Sequence, residues 1–196
     1  MVRAYFNESA ARWDEASSET DGAKLATMAS RLAIAPGALV LDVGAGTGRF
    51  LPFLLKSVGA GGRVVALDFA EEMLQQARRK DLGGDISYVC ADVGSIPLRD
   101  GVFDAVVCYS SLPHFPDKPR ALAEMGRVLK PGGRLYVCHT SGRESINGIH
   151  RRIPAVAGDL LPDECEMRRL LEAAGFVDVT VDDGGESYLA SASKPG

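Results

Sequence analysis

Apolar residues in this chain fall into two alternating kinds of run. "ALVLDV" (38–43), "RVVALD" (63–68), "ISYVCAD" (86–92), "FDAVVCY" (103–109) and "GRLYVCHT" (133–140) are short, dense in Val, Leu, Ile and Tyr, and bounded by Gly, Asp or Pro. Runs of that kind suit strands buried on both faces. Between them, "FLPFLLKSVG", "AEEMLQQARRK" and "PRALAEMGRVLKPGG" read as helices. In the last, Leu122, Met125, Val128 and Leu129 share one face before Pro131-Gly132-Gly133 stops the helix. "LPDECEMRRLLEAAGF" predicts a further helix, with capping-box spacing at Asp163 and Glu166, a stripe of Met167, Leu170, Leu171 and Ala174, and Gly175 at its end. "FVDVTVDD" and "ESYLASAS" alternate around Gly184-Gly185, a hairpin signal. The alternation of β and α implies right-handed crossovers and a doubly wound, mostly parallel α/β sheet that ends in an antiparallel pair.

Composition adds exclusions more than assignments. A chain of 196 residues buries a core without disulfides. The four cysteines, Cys90, Cys108, Cys138 and Cys165, never fall in a CxxC pair, and three sit in strand-like runs, as reduced thiols of a cytoplasmic protein do. A formal net charge of −4 gives no basic footprint for nucleic acid. No apolar run has the length of a membrane span, and "MVRAYFNESAARWDE" lacks a signal-peptide core.

Candidate chemistry concentrates at the end of the first strand. Asp42 runs into Gly44-Ala45-Gly46-Thr47-Gly48 and then a helix, the crevice where open α/β sheets bind nucleotides. The dinucleotide fingerprint GxGxxG puts its third glycine where this chain has Arg49, and no Tyr-x-x-x-Lys pair is present. Both features argue against a dehydrogenase. Asp68 ends the second strand and Asp92 the third, where either carboxylate serves a ligand or merely caps a helix or forms a turn. Ala70, at the start of the second helix, is a poor cap.

With those motifs in order, the chain resembles the class I S-adenosylmethionine-dependent methyltransferases of the small, single-domain type over roughly residues 36–140. That resemblance implies a Rossmann-like, seven-stranded version of the expected sheet. "VLDVGAGTG" is similar to the loop that contacts the amino-acid part of the cofactor, which implicates Asp42, Gly44, Ala45, Gly46 and Gly48. Asp68 matches the residue that holds the ribose hydroxyls, Asp92 and Val93 match the adenine contacts, and Phe69, Met73 and Tyr109 complete the implied cofactor set. "LKPGGRLYV" matches the turn into the fifth strand. A vicinal diol prefers a bidentate carboxylate and an exocyclic amine needs an acceptor, so the chemistry agrees.

The resemblance implies methyl transfer from S-adenosylmethionine to a small molecule by in-line displacement, leaving S-adenosylhomocysteine, with no metal. Methylation of protein or nucleic acid, or cofactor binding without catalysis, are the competing functions. His114, His139 and His150, at or beyond strand ends, are the candidate bases. The segment 141–162 is longer than a plain connector and is expected to be a mobile acceptor lid. Read as a helix it puts Ile146, Ile149 and Ile153 on one face and Arg143, Asn147, His150 and Arg151 on another. The expectation is that the polar face addresses an anionic acceptor. Tyr5 and Trp13, in the N-terminal "YFNESAARWD", are expected to close the pocket. The whole chain 1–196 then reads as one domain: a helical cover (1–35), a cofactor core (36–140), the lid (141–162) and a C-terminal helix and hairpin (163–193). Such a domain is expected to act as a monomer or homodimer with no nucleic-acid or membrane partner.

Overall fold

In the computed structural model, which describes residues 2–16 and 21–196, five strands run parallel and two close the sheet antiparallel. They are β1 (Leu39–Val43), β2 (Arg63–Asp68), β3 (Ile86–Cys90), β4 (Phe103–Tyr109), β5 (Leu129–His139), β6 (Val177–Asp183) and β7 (Tyr188–Ser193). Their order is β3-β2-β1-β4-β5-β7-β6, the doubly wound sheet with a C-terminal hairpin that the apolar pattern predicts. Because β1 pairs with β2 on one side and β4 on the other, the crossovers leave in opposite directions. A crevice therefore opens above the C-terminal ends of β1 and β4.

The helices are α1 (Val2–Ser9), α2 (Trp13–Ala16), α3 (Gly22–Arg31), α4 (Leu51–Val58), α5 (Glu71–Arg79), α6 (Lys118–Val128), α7 (Arg143–His150) and α8 (Glu164–Ala173). Strand residues alternate between two helical layers, as period-2 side chains must. Val40, Val64, Ala66 and Val107 pack with Leu25, Met28, Leu51 and Leu54 of α3 and α4. Leu41, Val43, Val65 and Val106 pack on the opposite face with Leu122, Met125, Met167 and Leu171 of α6 and α8. Strand β5 starts earlier than the sequence suggests, since Leu129 already pairs with Phe103 before an irregularity in the register.

Three local devices place the loops above the sheet. The side chain of Ala70 offers α5 no cap, as its chemistry dictates, but Asn7 reaches across from α1 and its Oδ1 accepts from Glu72 N at 3.2 Å. A tertiary contact thus supplies what the local sequence lacks. Arg127 pins the strand-to-strand segment near residues 96–100 by donating to Ile96 O, Leu98 O and Asp100 Oδ1 while pairing with Glu124. The 141–162 segment is fastened at both ends. Gly142 approaches Gly185 so closely that a Cβ there would meet the carbonyl oxygen, and Asn147 exchanges two hydrogen bonds with the backbone of Leu161, at 3.1 and 2.8 Å. Among the described residues no helix is long and apolar enough to cross a membrane.

Candidate functional site

The crevice is a cavity of about 430 Å³ whose walls come from the ends of β1, β2, β4 and β5, the N-terminal helices and the 141–162 segment. Its polar end is built on β1 and β2. The loop after β1 turns at Gly44, Gly46 and Gly48, all at positive φ, the left-handed region in which a side chain is strained. Each glycine answers a different need. A Cβ on Gly44 would lie 2.4 Å from Ser111 Cβ, so this glycine lets two strand-end loops touch. A Cβ on Gly46 would meet nothing within 4 Å, and this residue lines the cavity. Gly48 is expected at the ligand but does not line the cavity; a Cβ there would fall 2.9 Å from Ala77 and Leu51 side chains, so it serves helix packing.

Three carboxylates share that end of the cavity: Asp42, Asp68 and Asp92. Asp42 is 1% exposed, and its Oδ1 has no hydrogen-bond partner. Burial, with a smaller contribution from the charge of Asp68, pushes its carboxyl up to about 7. Asp68 accepts from Gly46 N and Ala70 N, each at 2.8 Å; burial pushes its carboxyl up and those amides pull it down. Asp92 accepts from Gly94 N at 2.7 Å. The backbone contacts of Asp68 and Asp92 leave room for a ligand as well, because an ionised carboxylate has about four acceptor sites. Ala45, Phe69, Met73, Val93 and Tyr109 also line this part of the cavity, with Tyr109 stacked on Phe50 at 4.6 Å between ring centroids. An unpaired buried carboxylate beside two more acceptors and a loop with open space at Gly46 suits a ligand bringing an ammonium, a diol and an amine.

The N-terminal helices close one side. Tyr5 and Trp13 line the cavity as expected, around Phe6, whose ring meets Trp13, Phe69 and His114 edge-on at 5.3, 5.9 and 5.0 Å. Asp14 latches this cover to the glycine loop by accepting from Thr47 Oγ1 at 2.5 Å, and to α5 through Lys80 at 2.6 Å.

At the far end the structure corrects the expected orientation of the lid. Its apolar face, Ile146, Ile149 and Ile153 with Val156, roofs the cavity. Of the polar face only His150 lines it. Arg143 pairs with Asp183 at 2.6 Å and Glu144 at 2.9 Å, Asn147 is spent on Leu161, and Arg151 is exposed. The reason is simple burial: the roof of a closed cavity is the drier side, so the apolar stripe takes it. No arginine of α7 therefore lines the cavity to support an anionic acceptor.

His114, His139 and His150 all line the cavity. His114 Nδ1 lies 2.9 Å from Asp159 Oδ2, and His150 Nδ1 bonds the Asp159 carbonyl. Asp159 itself went unnoticed in the sequence, where "AVAGD" reads as loop punctuation. Its contact with His114 spans 45 residues, and no local pattern encodes it. The thiol of Cys108 is wholly buried and pushed up to about 12, chiefly by burial, so it is inert as a nucleophile. Among the described residues no group of three or more His, Cys, Asp or Glu is placed to hold a metal.

Comparison with known proteins gives the site a context. Residues 41–137 match the family model described as a methyltransferase domain. The ubiquinone/menaquinone biosynthesis C-methyltransferase of Haemophilus ducreyi is 43% identical over 170 residues, covering 73% of this chain and 66% of the relative. The demethylmenaquinone methyltransferase of Clavibacter sepedonicus is 37% identical over 146 residues, covering 72% of this chain and 58% of the relative. The chain thus spans less than two thirds of the length of these curated relatives. Among solved structures, an S-adenosylmethionine-dependent methyltransferase from Aquifex aeolicus superposes with a TM-score of 0.76 at 26% identity, over 96% of this chain and 98% of that one.

Proposed function

Because the chain belongs to the class I S-adenosylmethionine-dependent methyltransferases, we propose that it transfers a methyl group to a flat, largely apolar small molecule. The observation that carries this reading is a single cavity with carboxylates at one end and an isoleucine roof at the other. When bound, S-adenosylmethionine supplies a methyl made electrophilic by the adjoining sulfonium. The residues present fit that cofactor, since Asp42 Oδ1 is a buried acceptor without a partner and Gly46 leaves open space. Asp42 would hold the cofactor's ammonium, Asp68 the ribose diol, and Asp92 with Val93 the adenine. Phe69, Met73 and Tyr109 would wall the nucleoside, and Tyr5 and Trp13 would shut the cover.

The protein's own work is alignment and exclusion of water. Ile146, Ile149 and Ile153 present no donor or acceptor to the acceptor molecule, so shape and burial select a ring-like apolar compound. The names of the two curated relatives point the same way, toward quinone-type rings. Four free cysteines, two of them buried, suit action in the reducing cytoplasm.

Calorimetry tests the cofactor half of the reading. The parent should bind S-adenosylmethionine and S-adenosylhomocysteine, and Asp68→Ala should lose about 2–3 kcal/mol of that affinity. The same variant should also lose some stability, because Asp68 holds Gly46 N and Ala70 N. Labelled methyl transfer to reduced, hydroxyl-bearing naphthohydroquinone-type rings tests the acceptor half. No heat with either cofactor form would remove the proposal altogether.

A further inference from the structure

Two imidazoles stand side by side at the acceptor end, with ring centroids 4.8 Å apart, and one residue of the loop after α7 reaches both. His114 Nδ1 meets the side-chain carboxylate of Asp159, and His150 Nδ1 meets the Asp159 backbone carbonyl. An ionised carboxylate and a carbonyl only accept, so both Nδ1 atoms must carry hydrogen. In the neutral ring the other nitrogen, Nε2, is then the acceptor. The contacts around His114 preserve this arrangement. Phe6 packs its edge at 5.0 Å, and Lys118 fastens the backbone on either side by donating to Pro113 O at 3.1 Å and Phe115 O at 3.3 Å. The Lys118 ammonium also lies within electrostatic reach of Asp159. His114 is half-buried and Asp159 shows 25% of its side chain, so the pair sits in the wall and not on the outer surface.

We infer that Asp159 is a positioning residue that fixes His114 as the Nδ1–H tautomer, so that the cavity offers a proton-accepting His114 Nε2 to the methyl acceptor. This rests on the methyltransferase reading and deepens it. The acceptor must bring a donor hydrogen, as a hydroxyl-bearing ring does. As its lone pair forms the new bond to the methyl carbon, the carbon–sulfur bond breaks with its electron pair left on sulfur. The acceptor's proton passes to Nε2, giving an imidazolium opposite the Asp159 carboxylate, and later leaves to solvent. The balance requires no oxidant and no further co-reactant.

The arrangement contains its own control, because alanine at 159 removes the carboxylate and keeps the carbonyl. Long-range proton–nitrogen NMR on the ligand-free protein at a pH where the imidazoles are neutral reads each tautomer directly. The parent should show His114 and His150 as the Nδ1–H form. Asp159→Ala should return His114 to the Nε2–H form that free imidazole side chains favour, while His150 keeps the parent signature. Calorimetry with S-adenosylhomocysteine serves as the fold control, with affinity expected within twofold of the parent. His114 already Nε2–H in the parent, or unchanged in Asp159→Ala, overturns the inference. Absence of S-adenosylhomocysteine binding in the parent instead overturns the methyltransferase reading and leaves the tautomer result standing, so the two failures are distinct.

Discussion

Asp42 is buried with an unpartnered oxygen, and its carboxyl sits near 7, far above the 3.8 of an unfolded aspartate. The sign of the consequence follows. The folded protein holds this proton more tightly than the unfolded chain, so the associated stability is full below pH 4 and is lost as pH rises through 7. The loss is about 4 kcal/mol for such a displacement. Urea melts at pH 5 and pH 8 should show the part of that decline lying between them, about 2–3 kcal/mol, in the parent and not in Asp42→Asn. A bound ammonium favours the ionised carboxylate, so S-adenosylhomocysteine should expel a proton at pH 6 and bind more tightly as pH approaches 7. Titrations in two buffers of different ionisation heat measure the proton, and Asp42→Asn should release none. The glycines make a second residue-scale contrast. Gly46→Val should abolish cofactor binding, because its side chain would enter open cavity. Gly62→Ala should leave affinity intact and cost about 1–3 kcal/mol of stability, since its Cβ would lie 2.4 Å from Val58 Cβ and 2.7 Å from Val58 O. Equal cofactor affinity in the two would remove the case for the loop. Gly44, Gly46 and Gly48 look alike in the sequence, and nothing in a three-glycine string says that one meets a loop, one open cavity and one a helix.

Among elements, α7 shows what periodicity does and does not tell. The isoleucine stripe was legible, because spacing alone defines it. Which way the stripe faces depends on whether the space beneath is drier than the solvent above, and that is fixed by α1, β4 and β5 together. Arg151→Ala should therefore change turnover by less than twofold, whereas Ile149→Asp should lower it more than tenfold by wetting the roof, with S-adenosylmethionine affinity held. Steady-state kinetics on the unmethylated ring acceptor checks both; a large loss in Arg151→Ala would restore the polar-face orientation. The start of α5 teaches the complementary lesson. Ala70 correctly announced a missing cap, but only the folded chain reveals Asn7 as its replacement. Removing it with Asn7→Ala should cost about 1 kcal/mol, the usual worth of a cap, read from denaturant melts.

For the whole molecule, the mostly parallel sheet with helices on both faces was legible because apolar runs of two lengths alternate without interruption, whereas the order of the strands comes from the folded chain. The carboxylate end of the cavity was legible as well, since its residues lie at strand ends on continuous motifs. The acceptor end was not, because it is assembled from segments far apart in sequence: Tyr5 and Trp13, His114, His139, and the loop from His150 to Asp159. The single Asn7–Glu72 hydrogen bond has a consequence in time. It ties the first helix to the helix that begins beside Asp68, so α1 and the carboxylate end of the cavity share a fastening. A ligand seated beneath Phe6 and Trp13 is therefore expected to leave past α1, so loosening that fastening should speed its release. Stopped-flow displacement of S-adenosylhomocysteine should therefore run several-fold faster in Asn7→Ala than in the parent.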